Sequence, residues 1–356
     1  MIKIGVIKEG KTPPDERVPF CPEQVNYINA NFPDVKVVVQ KSDVRRYKNE
    51  EFQNQGIELV DNLDDCNVLM GIKEVPIADL IPNKTYFFFS HTIKKQAYNR
   101  KLLIELLDKK IAMVDYETLV DKNGSRLIGF GRYAGIVGCY NTFFAYGQRT
   151  GLFNLKRAYQ CFDKTEMLNE LPKIKLPNDY KIVITGGGRV AKGIIEILEK
   201  LNIQKVKPAD FLSNTYCYPV YTQLFPEDYN KRKNNQPFTV REFYADASGF
   251  ESNFMPYAKV ADMYISGHFW AKGSPFIFTR EDAKSPDFKI KVVGDISCDI
   301  DGPVACTIRP SCIKEPIYGY HPTTEQETEF NNPEGITVMA VDKLPFEFPK
   351  NAAKNF

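Results

Sequence analysis

Histidine is scarce in this 356-residue chain, with only His91, His268 and His321, and tryptophan occurs once. So few histidines, so widely spaced, argue against a histidine-built metal site. The eight cysteines, at 21, 66, 139, 161, 217, 298, 306 and 312, include no C-x-x-C pair. A structural zinc site would want tighter pairs, and a disulfide scaffold a smaller secreted chain. The thiols are therefore expected to be reduced and mostly buried, and no metal is expected. Excess charge is lacking too: 47 basic against 45 acidic residues leaves +2. That excludes the basic footprint of a nucleic-acid binder. No apolar run approaches the roughly 18 residues of a membrane helix; the greasiest stretch, Tyr86 to Phe89, is a short strand. The opening Met1 to Ile7 reads as a strand without signal-peptide layout, so a soluble, cytoplasmic protein off the membrane is expected.

What is present is ordinary globular material, 43% hydrophobic and 26% charged, long enough for two domains of about 150 to 180 residues. Strand-like segments at Ile2–Ile7, Val35–Gln40, Val68–Lys73, Thr85–Ser90 and Ile111–Val114 alternate with helical ones at Pro22–Ala30, Asn49–Gln55 and Gln96–Lys109. That alternation indicates parallel βαβ units. Tyr133 to Gly151 reads as a buried helix, and a second α/β unit begins at Tyr180. The expected fold class is α/β, with two doubly wound Rossmann-like domains and a cleft between them. The expected domains are 1–133 plus 316–356, for substrate and catalysis, and 134–315 for NAD.

Lys181 to Ile195 is a strand, a glycine turn and a helix in succession, in which Gly186, Gly188 and Ala191 fill G-x-G-x-x-A. The first glycine permits the turn, the second lets backbone amides approach a pyrophosphate, and the small third residue allows close packing. The anion then rests on the helix N-terminus, which opens with Arg189 and Val190. Asp210 lies 22 residues beyond Gly188, where the second strand should end. A carboxylate there bonds ribose hydroxyls and favours NAD over NADP. The bland alternatives are an unliganded turn and an exposed aspartate.

In the first domain, Lys8-Glu9 and Asp15-Glu16-Arg17 follow the first strand. Gly71 to Pro76 sets Lys73 and Glu74 at another strand end, and Ser90-His91-Thr92 sets a histidine at a third. Singly, each reads as a solvated loop residue. Together, Arg17, Lys73 and His91 reach the one sheet edge where doubly wound folds bind ligands.

These motifs make the chain similar to the alanine dehydrogenase, transhydrogenase and saccharopine dehydrogenase superfamily over nearly its whole length. Lys8 to Pro19 resembles the family's K-E-x(n)-D-E-R-R run, with Val18 replacing the second arginine. Gly71 to Pro76 resembles G-x-K-E-x-P, and His91 with Gln96 resembles H-x(4)-Q. Asp115-Tyr116-Glu117, Asn123-Gly124-Ser125-Arg126 and Phe130 to Gly135 resemble the saccharopine dehydrogenase branch rather than alanine dehydrogenase. Gly294 to Asp299 and Val338 to Pro345 resemble its closing strands. Residues 211–262 do not match readily.

The resemblance implies NAD-dependent oxidation of the secondary amine saccharopine to an imine, which hydrates and collapses to L-lysine and 2-oxoglutarate. It implies Lys73 as base and His91 as acid/base, with Glu74 and Glu117 tuning them. It implies Arg17, Gln96, Arg126 and Phe130 as substrate-binding residues, Arg17 and Arg126 clamping carboxylates. Asp295 would face the nicotinamide or ribose. The partners expected are an amino-acid or 2-oxo-acid substrate, no nucleic acid, and itself as monomer or small homo-oligomer. Two other readings stand beside this one: an alanine-dehydrogenase-like enzyme making an amino acid from a small 2-oxo acid, and a non-catalytic NAD-binding sensor.

Overall fold

The structure, a computed structural model, describes residues 1–12, 15–124 and 126–354. Pro13 and Pro14 of the opening segment, Ser125 of the family run, and Asn355–Phe356 lie outside them. The chain divides into two units: Met1–Phe130 with Phe348–Phe356, and Gly131–Glu347.

The first unit contains, in chain order, β1 (Ile2–Val6), α1 (Pro22–Asn31), β2 (Val35–Gln40), α2 (Asn49–Gln53), β3 (Leu59–Val60), β4 (Val68–Met70), β5 (Thr85–Phe88), α3 (Arg100–Asp108) and β6 (Ala112–Asp115). The strands pair in the order β3-β2-β1-β4-β5-β6, all parallel. β-Branched and aromatic residues dominate β2 and β5, and Val37, Val38, Val39, Tyr86 and Phe88 are buried. Cores form on both sheet faces, one around Val6, Val25 and Phe52 and one around Leu69, Tyr86 and Leu106. The strand order reverses between β1 and β4, and such a reversal opens a crevice at the carboxyl ends of those strands.

The second unit opens with α4 (Gly131–Thr150) and α5 (Lys164–Glu170). It continues with β7 (Lys181–Thr185), α6 (Arg189–Lys200), β8 (Gln204–Lys205), α7 (Pro208–Ser213) and β9 (Val220–Leu224). A small antiparallel pair, β10 (Asn230–Arg232) and β11 (Phe250–Ser252), precedes β12 (Met263–Ser266) and β13 (Val292–Asp295). β14 (Ile317–His321), β15 (Gln326–Thr328) and β16 (Ile336–Met339) complete the unit. Its main sheet runs β15-β14-β16-β13-β12-β7-β9-β8. α4 and α6 approach backbone to backbone because Gly135 and Gly193 leave room. A Cβ on Gly135 would sit 2.0 Å from the Val190 carbonyl oxygen.

Two expectations are corrected. The segment 316–356 does not return as a whole to the first domain. β16 hydrogen-bonds in parallel to β13, and β14 pairs antiparallel with β16. All four β16 residues are buried, so this strand is covered on both faces and extends a two-sided sheet. Only the stretch from Phe348 rejoins the first unit, where Lys350 Nζ meets Glu51 at 2.7 Å. The boundary expected after 133 falls after Phe130. Among the described residues no helix is long and apolar enough to cross a membrane.

Candidate active site

The crevice of the first unit gathers charge from three strand ends. After β1, the Glu9 carboxylate accepts hydrogen bonds from the backbone amides of Ile72 (2.6 Å) and Lys73 (3.0 Å). The segment after β4 is thereby tied to the segment after β1 across the crevice. Burial and the neighbouring Asp15 charge push the Glu9 carboxyl up to about 8. Lys73 follows β4 and is half-buried. Burial and then the Arg17 charge bring its ammonium down to about 8. Its Nζ lies 3.5 Å from His91 Nε2 and 5.6 Å from the centre of the Phe89 ring.

His91, after β5, sits at φ 54°, in the left-handed region, which costs a non-glycine residue roughly 1 to 2 kcal/mol. Neighbouring contacts hold the turn: Ser90 Oγ donates to Asp115 and lies 2.7 Å from Thr92 Oγ1. The imidazole stacks on Phe89 at 6.3 Å. Its Nδ1 lies 2.6 Å from Glu74 Oε1. Burial acts to raise the Glu74 carboxyl, but hydrogen bonds from His91 and from Lys11 outweigh it and hold the group at about 2. Lys11 Nζ is 2.6 Å from Glu74 Oε2. An ionised carboxylate only accepts hydrogen bonds, so the proton on a neutral His91 sits on Nδ1. Nε2 then presents a lone pair toward Lys73. A lysine that loses its proton near neutrality stands beside a histidine whose accepting nitrogen faces it, which suits two-proton chemistry.

The other residues expected here fall in less uniform places. Arg17 is buried, and its guanidinium fork grips Asp15 (Nε–Oδ1 2.9 Å, Nη2–Oδ2 2.6 Å) while lying 4.1 Å over Phe130. Glu117 is buried and pairs with Lys94 (3.4 Å) and the exposed Arg126 (3.3 Å), two cations that the expectation of its tuning Lys73 and His91 did not include. Gln96 is exposed in the loop that follows His91. Sequence reasoning placed Glu9 and Asp15 after the first strand but gave them no role, and it did not name Lys11.

In the second unit the glycine turn is built as its pattern requires. Gly186 has φ 101°, and a Cβ there would meet the Gly267 carbonyl oxygen at 2.4 Å. At Gly188 a Cβ would meet nothing within 4 Å, so the side facing the first turn of α6 is open. A cavity of about 630 Å³ lies there, lined by Gly186 to Val190, Phe225, Tyr229, Tyr244, His268, Phe269, Trp270, Ser297 and Asp299, among others. Open backbone amides at a helix N-terminus suit a pyrophosphate, so Gly186, Gly188, Arg189 and Val190 fit a dinucleotide.

Two acids are not where the pattern put them. Asp210 lies exposed in α7, past the short edge strand β8, and is absent from the cavity lining. The reason is topological: β9 pairs with β7 from Lys181–Val220 to Thr185–Leu224, so β8 is displaced to the edge. Phe225, not a carboxylate, follows the strand beside β7. Asp295 does not line the cavity. It is fully buried and accepts from the Ser266 (2.5 Å), Ser297 (2.6 Å) and Thr307 (2.7 Å) hydroxyls and the Cys298 amide (3.2 Å). It anchors the loop that carries Ser297 and Asp299 to the cavity. Among the described residues no group of three or more His, Cys, Asp or Glu could hold a metal ion.

One Rossmann-like unit carries an acid–base cluster at its strand ends and the other a glycine turn suited to a dinucleotide, the equipment of an oxidoreductase. Residues 5–137 match the family described as alanine dehydrogenase/PNT, N-terminal domain. Over nearly its whole length the chain is similar to saccharopine dehydrogenases. It is 23% identical to saccharopine dehydrogenase [NAD(+), L-lysine-forming] of Schizosaccharomyces pombe, over 97% of this chain and 87% of that protein. It is 27% identical to alpha-aminoadipic semialdehyde synthase of Arabidopsis thaliana over 99% of this chain. It spans only 37% of that synthase's length. A solved L-alanine dehydrogenase superposes with a TM-score of 0.61 at 15% identity, covering 99% of this chain and 86% of that one, a likeness of fold.

Proposed function

We propose that the chain is a nicotinamide-nucleotide-dependent dehydrogenase acting on the CH–NH bond of an amino acid. The reaction proposed is saccharopine, oxidised NAD and water giving L-lysine, 2-oxoglutarate, NADH and a proton. The observation that carries the proposal is the Lys73–His91–Glu74 chain at the strand ends. A bound nicotinamide supplies the hydride acceptor. Lys73, depressed to about 8, takes the proton from the secondary amine. His91 Nε2 then takes a proton from the water that adds to the imine carbon. It returns that proton to the departing amine, and the carbinolamine hydroxyl loses its own proton to solvent as the C–N bond breaks and the carbonyl forms. Glu74, ionised against Nδ1, steadies the imidazolium formed in between. Arg126 and Gln96, both at the surface, are the residues proposed to take substrate carboxylates. Arg17, committed to Asp15, acts chiefly by its charge on Lys73.

The test is nucleotide reduction by the purified chain with saccharopine and with L-alanine, side by side. Reduction with saccharopine alone supports the proposal. Reduction with L-alanine alone replaces it with the small-substrate reaction, and reduction with neither defeats both.

A further inference from the structure

The cavity at the glycine turn has a second wall that the nucleotide pattern does not account for. Three of its rings are open to water: Phe269 is 83% exposed, Tyr244 66% and Phe225 40%. Single exposed apolar residues are ordinary, but three rings lining one cavity form a patch of the kind that marks a binding site. The sheet explains why they gather. β9 and β12 are the two neighbours of β7, so the residues after them flank the turn that ends β7. Phe225 comes directly after β9, and Phe269 and Trp270 follow shortly after β12. The Phe225 ring lies against the turn itself, since a Cβ on Gly187 would stand 2.7 Å from its Cε1. Trp270 is anchored from behind: its indole N–H donates to the carbonyls of Ser274 (3.1 Å) and Pro275 (3.2 Å). Tyr244 leans edge-on against Phe243 at 5.7 Å.

Phe225 also follows the strand that pairs beside β7, the place in the sheet where the nucleotide pattern puts a ribose-binding carboxylate. A phenyl ring cannot bond ribose hydroxyls, but it offers a flat π face, as do its two neighbours. Stacking a nucleobase on an aromatic side chain is worth roughly 5- to 150-fold in affinity. We propose that Phe225, Tyr244 and Phe269 form the purine-binding end of the nucleotide site. Stacking there takes the place of the missing ribose carboxylate. The assignment rests on the nucleotide reading above and adds which end of the dinucleotide this wall holds. The cavity, at about 630 Å³, is of ligand-pocket size.

Trp270 is the sole tryptophan of the chain and lines the cavity, so its emission reports occupancy. The full chain is titrated with NADH, with AMP and with nicotinamide mononucleotide. Phe269→Leu and Tyr244→Ala should each weaken NADH and AMP about 10-fold and leave the mononucleotide unchanged. Phe269→Tyr, which keeps the π face, should hold wild-type affinity. Both positions are exposed, and unchanged thermal melts would show that the variants stay folded. Unaltered AMP binding, a loss confined to the nicotinamide mononucleotide, or equal loss in Phe269→Leu and Phe269→Tyr overturns the assignment and leaves the nucleotide reading standing. A wild-type chain that binds neither NADH nor AMP overturns the nucleotide reading, and the assignment with it.

Discussion

The pH profile of amine oxidation should be written by Lys73. An ordinary lysine, near 10.5, would be neutral in only about one molecule in 3000 at pH 7. Held at about 8 by burial and the Arg17 charge, Lys73 is neutral in roughly one in ten, a gain of ~300-fold in available base. Because its ammonium form is the inactive one, kcat/KM should rise about tenfold per pH unit below 8 and level off above it. Lys73→Met should remove that limb and lower turnover by about 10² to 10⁴. Nucleotide binding, read from Trp270 emission, should stay near wild type because the glycine turn lies in the other unit. The assay is nucleotide reduction with saccharopine across about pH 6 to pH 9.5 for both proteins, a span that brackets the group's titration. A wild-type profile flat through 8, or the same limb persisting in Lys73→Met, would refute the reasoning.

His91→Gln should also cost about 10² to 10⁴ in turnover, and the double variant with Lys73→Met should lose less than the product of the two, as measured by kcat. Asp210→Ala should leave nucleotide affinity and the NAD/NADP ratio unchanged in fluorescence titrations, because Asp210 is exposed and outside the cavity. A shift in that ratio would return the carboxylate to the site. Asp295→Ala strips a fully buried acceptor from three hydroxyls and an amide, and should cost about 3 kcal/mol or more in urea unfolding.

Local features were readable from the sequence, and features set by distant pairing were not. Val35–Gln40 and Lys181–Thr185 are strands because of their own apolar and β-branched residues, and the glycine turn follows from Gly186 and Gly188. Lys73 and His91 meet because each follows a strand of one parallel sheet, and strand ends of such a sheet share an edge. Asp210 went astray because the intrusion of β9 between β7 and β8 depends on pairing across 39 residues, from Lys181 to Val220. The same holds for β16: Ile336–Met339 is mostly apolar and buried on both faces, and would suit either sheet, so its composition does not say which one it joins. The Arg17–Asp15 fork was missed for a smaller reason. A charge after a strand reads as a substrate ligand until its neighbour two residues away is seen to claim it. Asp295 was assigned to the cofactor because it ends a strand. It is buried inside, and its second carboxylate oxygen accepts instead from Thr307, which the following loop brings back.

The central claim is tested most directly in the reverse direction, by following oxidation of reduced nucleotide with pairs of amine and oxo acid. Oxidation is predicted with L-lysine and 2-oxoglutarate together, and with neither alone. Oxidation with ammonia and pyruvate in place of that pair, or with no pair at all, would contradict the account.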